Sequence, residues 1–347
     1  MTWSMETAEG PHEERSGALV TGFVLLIAVL CGLFYYKWGG AIRALASVRE
    51  LGRWSGTAEG LTTGGVLRKT LFYFRRIWIA LVYGLLIGGV VRAFISPRRV
   101  AALLSRGGSV RRHLTGGLTG APLMLCSCCI TPIFQSVYER GARLGSALAV
   151  MLASPGLNPA ALILTFILFP LRLAGARLGA ALVAVLLLPA VLDRLFGGSL
   201  TVRRERLGGT AAIVAPQNAR ELVVRFARAL GELVVRTVPL VVAGVVLSSL
   251  ILPVSVQFSV GGTFVVVALT AAVAVLVALP TFFEIPLAIV FLSVGAPGAA
   301  AAMLVAGPLV NLPSLFILGR ETRPQVALAL AVGVWLVAVG AGMAVSI

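Results

Sequence analysis

Ala153-Ser154-Pro155-Gly156-Leu157-Asn158-Pro159 is answered 153 residues later by Ala306-Gly307-Pro308-Leu309-Val310-Asn311-Leu312. Each stretch interrupts an apolar run with a Pro-x-x-Asn motif, and the chain has only three asparagines in all. Working outward, Pro132 and Gly141 stand nine residues apart, as do Pro286 and Gly295, and these pairs are offset by 154 residues. One single-residue gap therefore aligns two halves of the chain. An internal repeat whose segments are broken by proline in mid-run is the usual architecture of secondary transporters.

Composition agrees with that reading. The 347 residues are 59% hydrophobic and 12% charged, with a mean hydropathy of +0.99. Soluble domains carry about 25% charged residues, and several apolar runs here reach the ~20 residues a membrane span needs. The net charge of +16 comes almost wholly from arginine, Lys37 and Lys69 being the only lysines. These arginines flank apolar runs, a placement that suits positive-inside anchoring and lipid head groups. No basic helix or aromatic platform points to nucleic acid. Four cysteines, three nearly contiguous, do not form a secreted disulfide framework. The acidic start, with Glu6, Glu9, Glu13 and Glu14, has the wrong sign for a signal peptide.

The expected fold is an all-α polytopic membrane protein of about nine transmembrane segments, with one extra N-terminal span and two repeats of about four segments each. Residues 1–36 hold the extension and extra span, 37–76 a basic cytoplasmic linker, and 77–196 the first repeat. A second basic cytoplasmic loop covers 197–230, and the second repeat covers 231–347. The acidic start and basic linker place the N-terminus outside a cell (inner) membrane. Simple alternation then puts the basic loop 96–113 outside, against the positive-inside rule. Its sidedness, like the choice between a parallel and an inverted repeat, stays open.

The chemistry gathers at the breaks. Cys126-Ser127-Cys128-Cys129-Ile130-Thr131-Pro132 lies in a run without a charged residue from Arg112 to Glu139. Pro132 lacks a backbone donor and its ring clashes with the carbonyl of Cys128, so the helix should kink or open. In an opened segment Cys126 and Cys128 can converge, with Cys129 as a third ligand for a soft ion or metalloid. Small buried hydrophobes that merely pack are the alternative. Asn158 and Asn311 suit a midplane substrate site, or the tying of backbone groups freed by Pro155, Pro159, Pro308 and Pro313. Glu284, just before Pro286, is the only acid between Glu232 and Glu321. An acid at membrane depth usually faces a cavity and has a role, which makes Glu284 a candidate for proton coupling. On the repeat alignment it matches Ile130, beside the thiols. Gln135, one turn past the break, is a further candidate for the pathway, while Glu139 next to Arg140 marks a span end.

Three stretches resemble the predicted-permease family that includes the ArsP-type organoarsenical efflux permeases and the YraQ-like proteins. They are Cys126-Ser127-Cys128 with Thr131-Pro132-Ile133; Ser154-Pro155-Gly156-Leu157-Asn158-Pro159; and Glu284-Ile285-Pro286 with Gly307-Pro308-Leu309-Val310-Asn311. The resemblance covers roughly residues 75–346. It implies an inner-membrane permease with duplicated halves, and its arsenic-associated members imply export of trivalent, often methylated or aromatic, arsenicals through Cys126 and Cys128. Where that pattern usually has glycine, this chain has Cys129. The expected partners are a small-molecule or metalloid substrate and membrane lipid, with homo-oligomerisation left open. No cofactor or catalytic residue is expected, and there is no Gly-x-x-x-x-Gly-Lys-[Ser/Thr] motif for ATP. The rival readings are a permease for another solute with cysteines that only pack, and a membrane-embedded thiol oxidoreductase.

Overall fold

The computed structural model describes residues 27–36, 38–40, 63–94, 108–206, 219–255, 263–279 and 282–346, and isolated positions at 24, 42 and 104. Among the described residues the chain is helical with no strand. The acidic N-terminal segment and Arg98 and Arg99 of the basic loop lie outside the described residues.

Six helices form the first half: α1 (Thr63–Phe94), α2 (Ser109–Gly120), α3 (Thr131–Glu139), α4 (Leu144–Gly156), α5 (Pro159–Leu168) and α6 (Leu171–Arg206). Six more follow: α7 (Ala219–Ser255), α8 (Thr263–Leu276), α9 (Glu284–Ser293), α10 (Pro297–Leu309), α11 (Leu312–Glu321) and α12 (Pro324–Ser346). Helix starts and stops follow local chemistry. Pro132, Pro159 and Pro313 sit in the first turns of α3, α5 and α11, where the missing N–H costs nothing. Pro155 and Pro308 stand next to last in α4 and α10, at the breaks. The axis turns by 40° between α4 and α5 and by 43° between α10 and α11. Gly141 and Gly295, each at positive φ, turn the chain between the third and fourth helices of each half.

α4 and α10 form the centre. Every residue of α4 is buried; it packs on α2, α3 and α6, while α10 packs on α8, α9 and α12, and both touch α6. Glycines permit the close approaches. A Cβ on Gly116 would meet the Ser146 carbonyl oxygen at 2.6 Å, and one on Gly244 would meet the Pro313 nitrogen at 2.6 Å.

The structure divides several of the long apolar runs. The run Leu114–Tyr138 is α2, a 3₁₀ turn (Ala121–Leu123), a non-helical cysteine loop and α3. The run 286–318 is parts of α9, α10 and α11. The two basic stretches are helical where described, since α1 begins at Thr63, α6 continues to Arg206 and α7 begins at Ala219. Among the described residues three helical stretches are long and apolar enough to cross a membrane, Leu171–Gly198, Val223–Leu247 and Pro324–Ser346, or five spans if each bent pair counts as one. Breaks cut several of the other apolar runs into helices of 9–14 residues, and much of the expected N-terminal span lies outside the described residues.

Candidate functional site

The cysteine loop starts where Met124, in the left-handed region at φ 50°, ends the 3₁₀ turn. Backbone N–H groups of Cys129 and Ile130 both donate to the Cys126 carbonyl, at 3.0 and 3.1 Å, wrapping the loop into a tight turn. Thr131 Oγ1 donates to the Cys128 carbonyl at 2.6 Å. Ser154, at the break of α4, clamps the loop from across: its Oγ accepts from Leu125 N at 2.9 Å and donates to Leu125 O at 3.3 Å. α1 seals the other side. Gly84 lies against the Cys129 carbonyl, and a Cβ on Gly88 would stand 2.8 Å from the Pro132 carbonyl oxygen. No side chain fits between α1 and the loop at these positions.

This folding brings the three sulfurs together. Cys126 Sγ lies 2.7 Å from Cys129 Sγ and 3.2 Å from Cys128 Sγ, and Cys128 Sγ lies 3.8 Å from Cys129 Sγ. All three are buried, and among the described residues they are the one group of three cysteine, histidine or acidic side chains arranged to hold an ion. The fourth cysteine, Cys31, is exposed.

Beside the thiols is a cavity of about 10 Å³, room for about one water. Its lining comes from both halves: Leu125, Cys126, Pro155, Asn158 and Ala161 from one, Leu279, Glu284 and Pro308 from the other. The two breaks meet here, for a Cβ on Gly156 would touch Leu309 Cδ2 at 2.6 Å. Glu284 is 3% exposed and lines the same cavity as Cys126.

Sequence reasoning passed over the partner of that acid. Arg177, on α6 and 1% exposed, donates from Nη2 to Glu284 Oε1 at 3.0 Å and from Nη1 to Thr165 Oγ1 at 2.5 Å. The pair ties α6 and α5 to α9. Arg177 Nε is buried without a partner. The available signal was an arginine inside the apolar run that begins near Leu173.

The two asparagines part company. Asn158 Oδ1 accepts from Ala160 N and Ala161 N, capping α5, and also lines the cavity. Asn311 caps α11 reciprocally with Ser314 but is not part of the lining; its Nδ2 is buried without a partner. Gln135 is not in the lining either. It donates to Glu321 Oε1 at 3.1 Å and accepts from Thr237 Oγ1 at 2.9 Å, so its amide joins α3 to α11 and α7. Glu139 pairs with Arg236 at 3.1 Å in a half-exposed position.

Over 332 residues the chain is 29% identical to UPF0718 protein YraQ of Escherichia coli strain K12, covering 93% of this chain and 91% of the relative. It is 27% identical over 103 residues to UPF0718 protein MJ0584 of Methanocaldococcus jannaschii, covering 29% of this chain and 28% of the relative. No solved structure matches. The ArsP_1 family model, described as a predicted permease, matches residues 62–347, which takes in every helix from α1 to α12. The chain is a multi-pass membrane protein and belongs to this permease family.

Proposed function

We propose that this permease is a secondary transporter that exports a thiophilic small solute, a trivalent organoarsenical or a related metalloid, across the inner membrane. The observation that supports it is the convergence of Cys126, Cys128 and Cys129, with Cys126 in the lining of a cavity that both proline breaks share. Thiols are soft ligands, and a site at the junction of two duplicated halves is where transporters bind their cargo. Cys126 is the thiol that meets the cavity, and Asn158 is the polar group beside it. Glu284 carries the coupling proton, with Arg177 as the counter-charge that must release it. Asn311 and Gln135 support the scaffold around the breaks. The depth of burial speaks against a thiol oxidoreductase, since Cys128 and Cys129 have no exposed surface for a redox partner to reach.

Efflux of trivalent arsenicals from a sensitive host expressing the chain tests the reading. Loss of resistance and efflux in Cys126→Ser and Cys128→Ser is the expected result. Wild-type efflux in both, and in the double variant, would remove the thiols from the mechanism and leave a permease whose cysteines only pack.

A further inference from the structure

Met124 and Ala160 form a small buried cluster of their own, and Trp38 and Phe282 pack against it. Three of these four residues adjoin the cavity lining along the chain. Met124 precedes Leu125, Ala160 precedes Ala161, and Phe282 stands two residues before Glu284. They come from three elements and from both halves: the start of the cysteine loop, α5, and the turn before α9. Trp38 comes from neither half. Its helical segment, residues 27–36 and 38–40, precedes the stretch that the family model matches. We infer that Trp38 is the gate of the cavity, a ring supplied from outside the two repeats that shuts the path to Cys126 and swings aside to let a solute pass. The inference rests on the cavity as the transport site and adds the residue that controls access to it.

Three observations carry it. The first is that the segment is firmly seated. Leu33 is buried in the main core, and a Cβ on Gly32 would stand 2.8 Å from the Tyr83 hydroxyl of α1. Tyr36 stacks on the same Tyr83 with ring centroids 6.3 Å apart. The place of Trp38 therefore follows from a docked helix. The second is strain. Met124 at φ 50° and Phe282 at φ 75° are the non-glycine residues held at positive φ among the described residues. Both belong to this cluster, and such backbone gathers at ligand clamps and switch regions. The third is how the ring is held. A buried indole N–H usually finds a partner, but Trp38 Nε1 is buried with none among the described residues. Its ring neighbour Phe34, at 5.7 Å and tilted by 50°, is itself exposed. Apolar contact alone keeps the indole in place, so it turns without breaking a hydrogen bond. A tryptophan that only anchored a span end would hold its N–H at the wet head-group level.

Access is tested by maleimide modification of the purified full chain in detergent, with Cys31→Ser removing the exposed thiol. Fragment mass spectrometry locates the modified cysteine. Reaction of a buried group follows the population of the open state. Trp38→Ala is expected to raise the rate at Cys126 by about tenfold or more, and Trp38→Phe to stay within about twofold of the parent. Cys128 and Cys129 should stay unmodified in both, because Cys126 alone of the three lines the cavity. Phe282→Ala carries the same expectation from the other half, so the inference stays open to refutation if Trp38→Ala does not fold. A parental rate at Cys126 in Trp38→Ala and Phe282→Ala overturns the gate. Modification of all three thiols together also overturns it, since that reads loosened packing instead of an opened path. Labelling needs no transported solute, which separates the two readings. Selective labelling of Cys126 alongside intact efflux in Cys126→Ser would keep the gate and sink the thiol site. A parental labelling rate alongside lost efflux in Cys126→Ser would do the reverse.

Discussion

Arg177 and Glu284 form a charge pair with almost no solvent contact, 3.0 Å apart. Removing one member of such a pair strands the other charge in an apolar interior. Arg177→Gln or Glu284→Gln alone should therefore cost about 3–5 kcal/mol. Replacing both by apolar residues of similar volume should recover most of it, since the pair has a desolvation cost of its own. Thermal unfolding of the three variants in detergent reads this directly. A cost below about 1 kcal/mol for each single variant would mean that water reaches the pair. If Glu284 carries the coupling proton, Glu284→Gln fixes its neutral form, so transport that survives should lose its response to external pH while Glu284→Asp keeps it. Asn158 poses a different question, because one side chain both caps α5 and lines the cavity. Asn158→Asp keeps the acceptor for Ala160 and Ala161, while Asn158→Ala should lose roughly 0.5–2 kcal/mol with the cap. Stability equal to wild type combined with impaired efflux in Asn158→Asp would show that the amide serves the cavity as well as the helix. The contrast with Arg177 explains what sequence could deliver. Proline and asparagine act on their own neighbours, so the breaks were readable. The Arg177–Glu284 pair joins positions 107 residues apart, and no local rule links them. Gln135 shows a related limit: its spacing from Pro132 was legible, but its partners Glu321 and Thr237 lie 186 and 102 residues away.

At the scale of elements, α1 acts as a wall. Gly84 and Gly88 face the cysteine loop on one side of this helix, and Gly89 faces Phe226 of α7. The two faces should respond unequally to an added methyl. Opposite Gly84 stands the Cys129 backbone, which cannot yield without moving the thiols. Opposite Gly89 stands the edge of a phenyl ring at 3.1 Å, which can rotate. Gly84→Ala should thus cost about 1–3 kcal/mol or more, as overpacking does, and should open the buried thiols to maleimide. Gly89→Ala should be nearly neutral. Equal behaviour of the two variants would deny α1 its role as a wall. Ser154 holds the same loop from α4 through two hydrogen bonds. Ser154→Ala leaves the Leu125 N–H buried and unsatisfied, a cost of about 1–3 kcal/mol, with the same rise in thiol labelling as its readout. That the glycines of this helix allow close approach was legible as small residues in an apolar run. What they approach was not, since the loop exists only because the chain leaves helix at Gly120 and re-enters at Thr131.

For the molecule as a whole, the depth and direction of the cysteine loop turn on a count of crossings. Between the basic stretch 37–62 and the connection 207–218 lie four units: α1, the run from α2 through the cysteine loop to α3, the bent pair α4–α5, and α6. Arginines crowd both ends of this interval, with Arg43, Arg49 and Arg53 before it and Arg203, Arg204 and Arg206 at its close. The positive-inside rule would place both ends in the cytoplasm, which asks for an even number of crossings. If all four units cross, the α2–α3 run spans the membrane with its thiols in the opened middle, the basic loop 96–113 lies outside against the same rule, and the two halves are related by an axis along the membrane normal. If the α2–α3 run were instead a re-entrant hairpin, three units would cross, 37–62 and 207–218 would face opposite sides, and the repeat would be inverted. Single cysteines introduced at 49 and at 210 in a background without the native thiols, labelled from outside with a membrane-impermeant maleimide, decide the matter. Both are expected to be protected in intact cells and labelled after permeabilisation. Labelling of one and not the other in intact cells would convert the cysteine loop from the middle of a span into the tip of a hairpin.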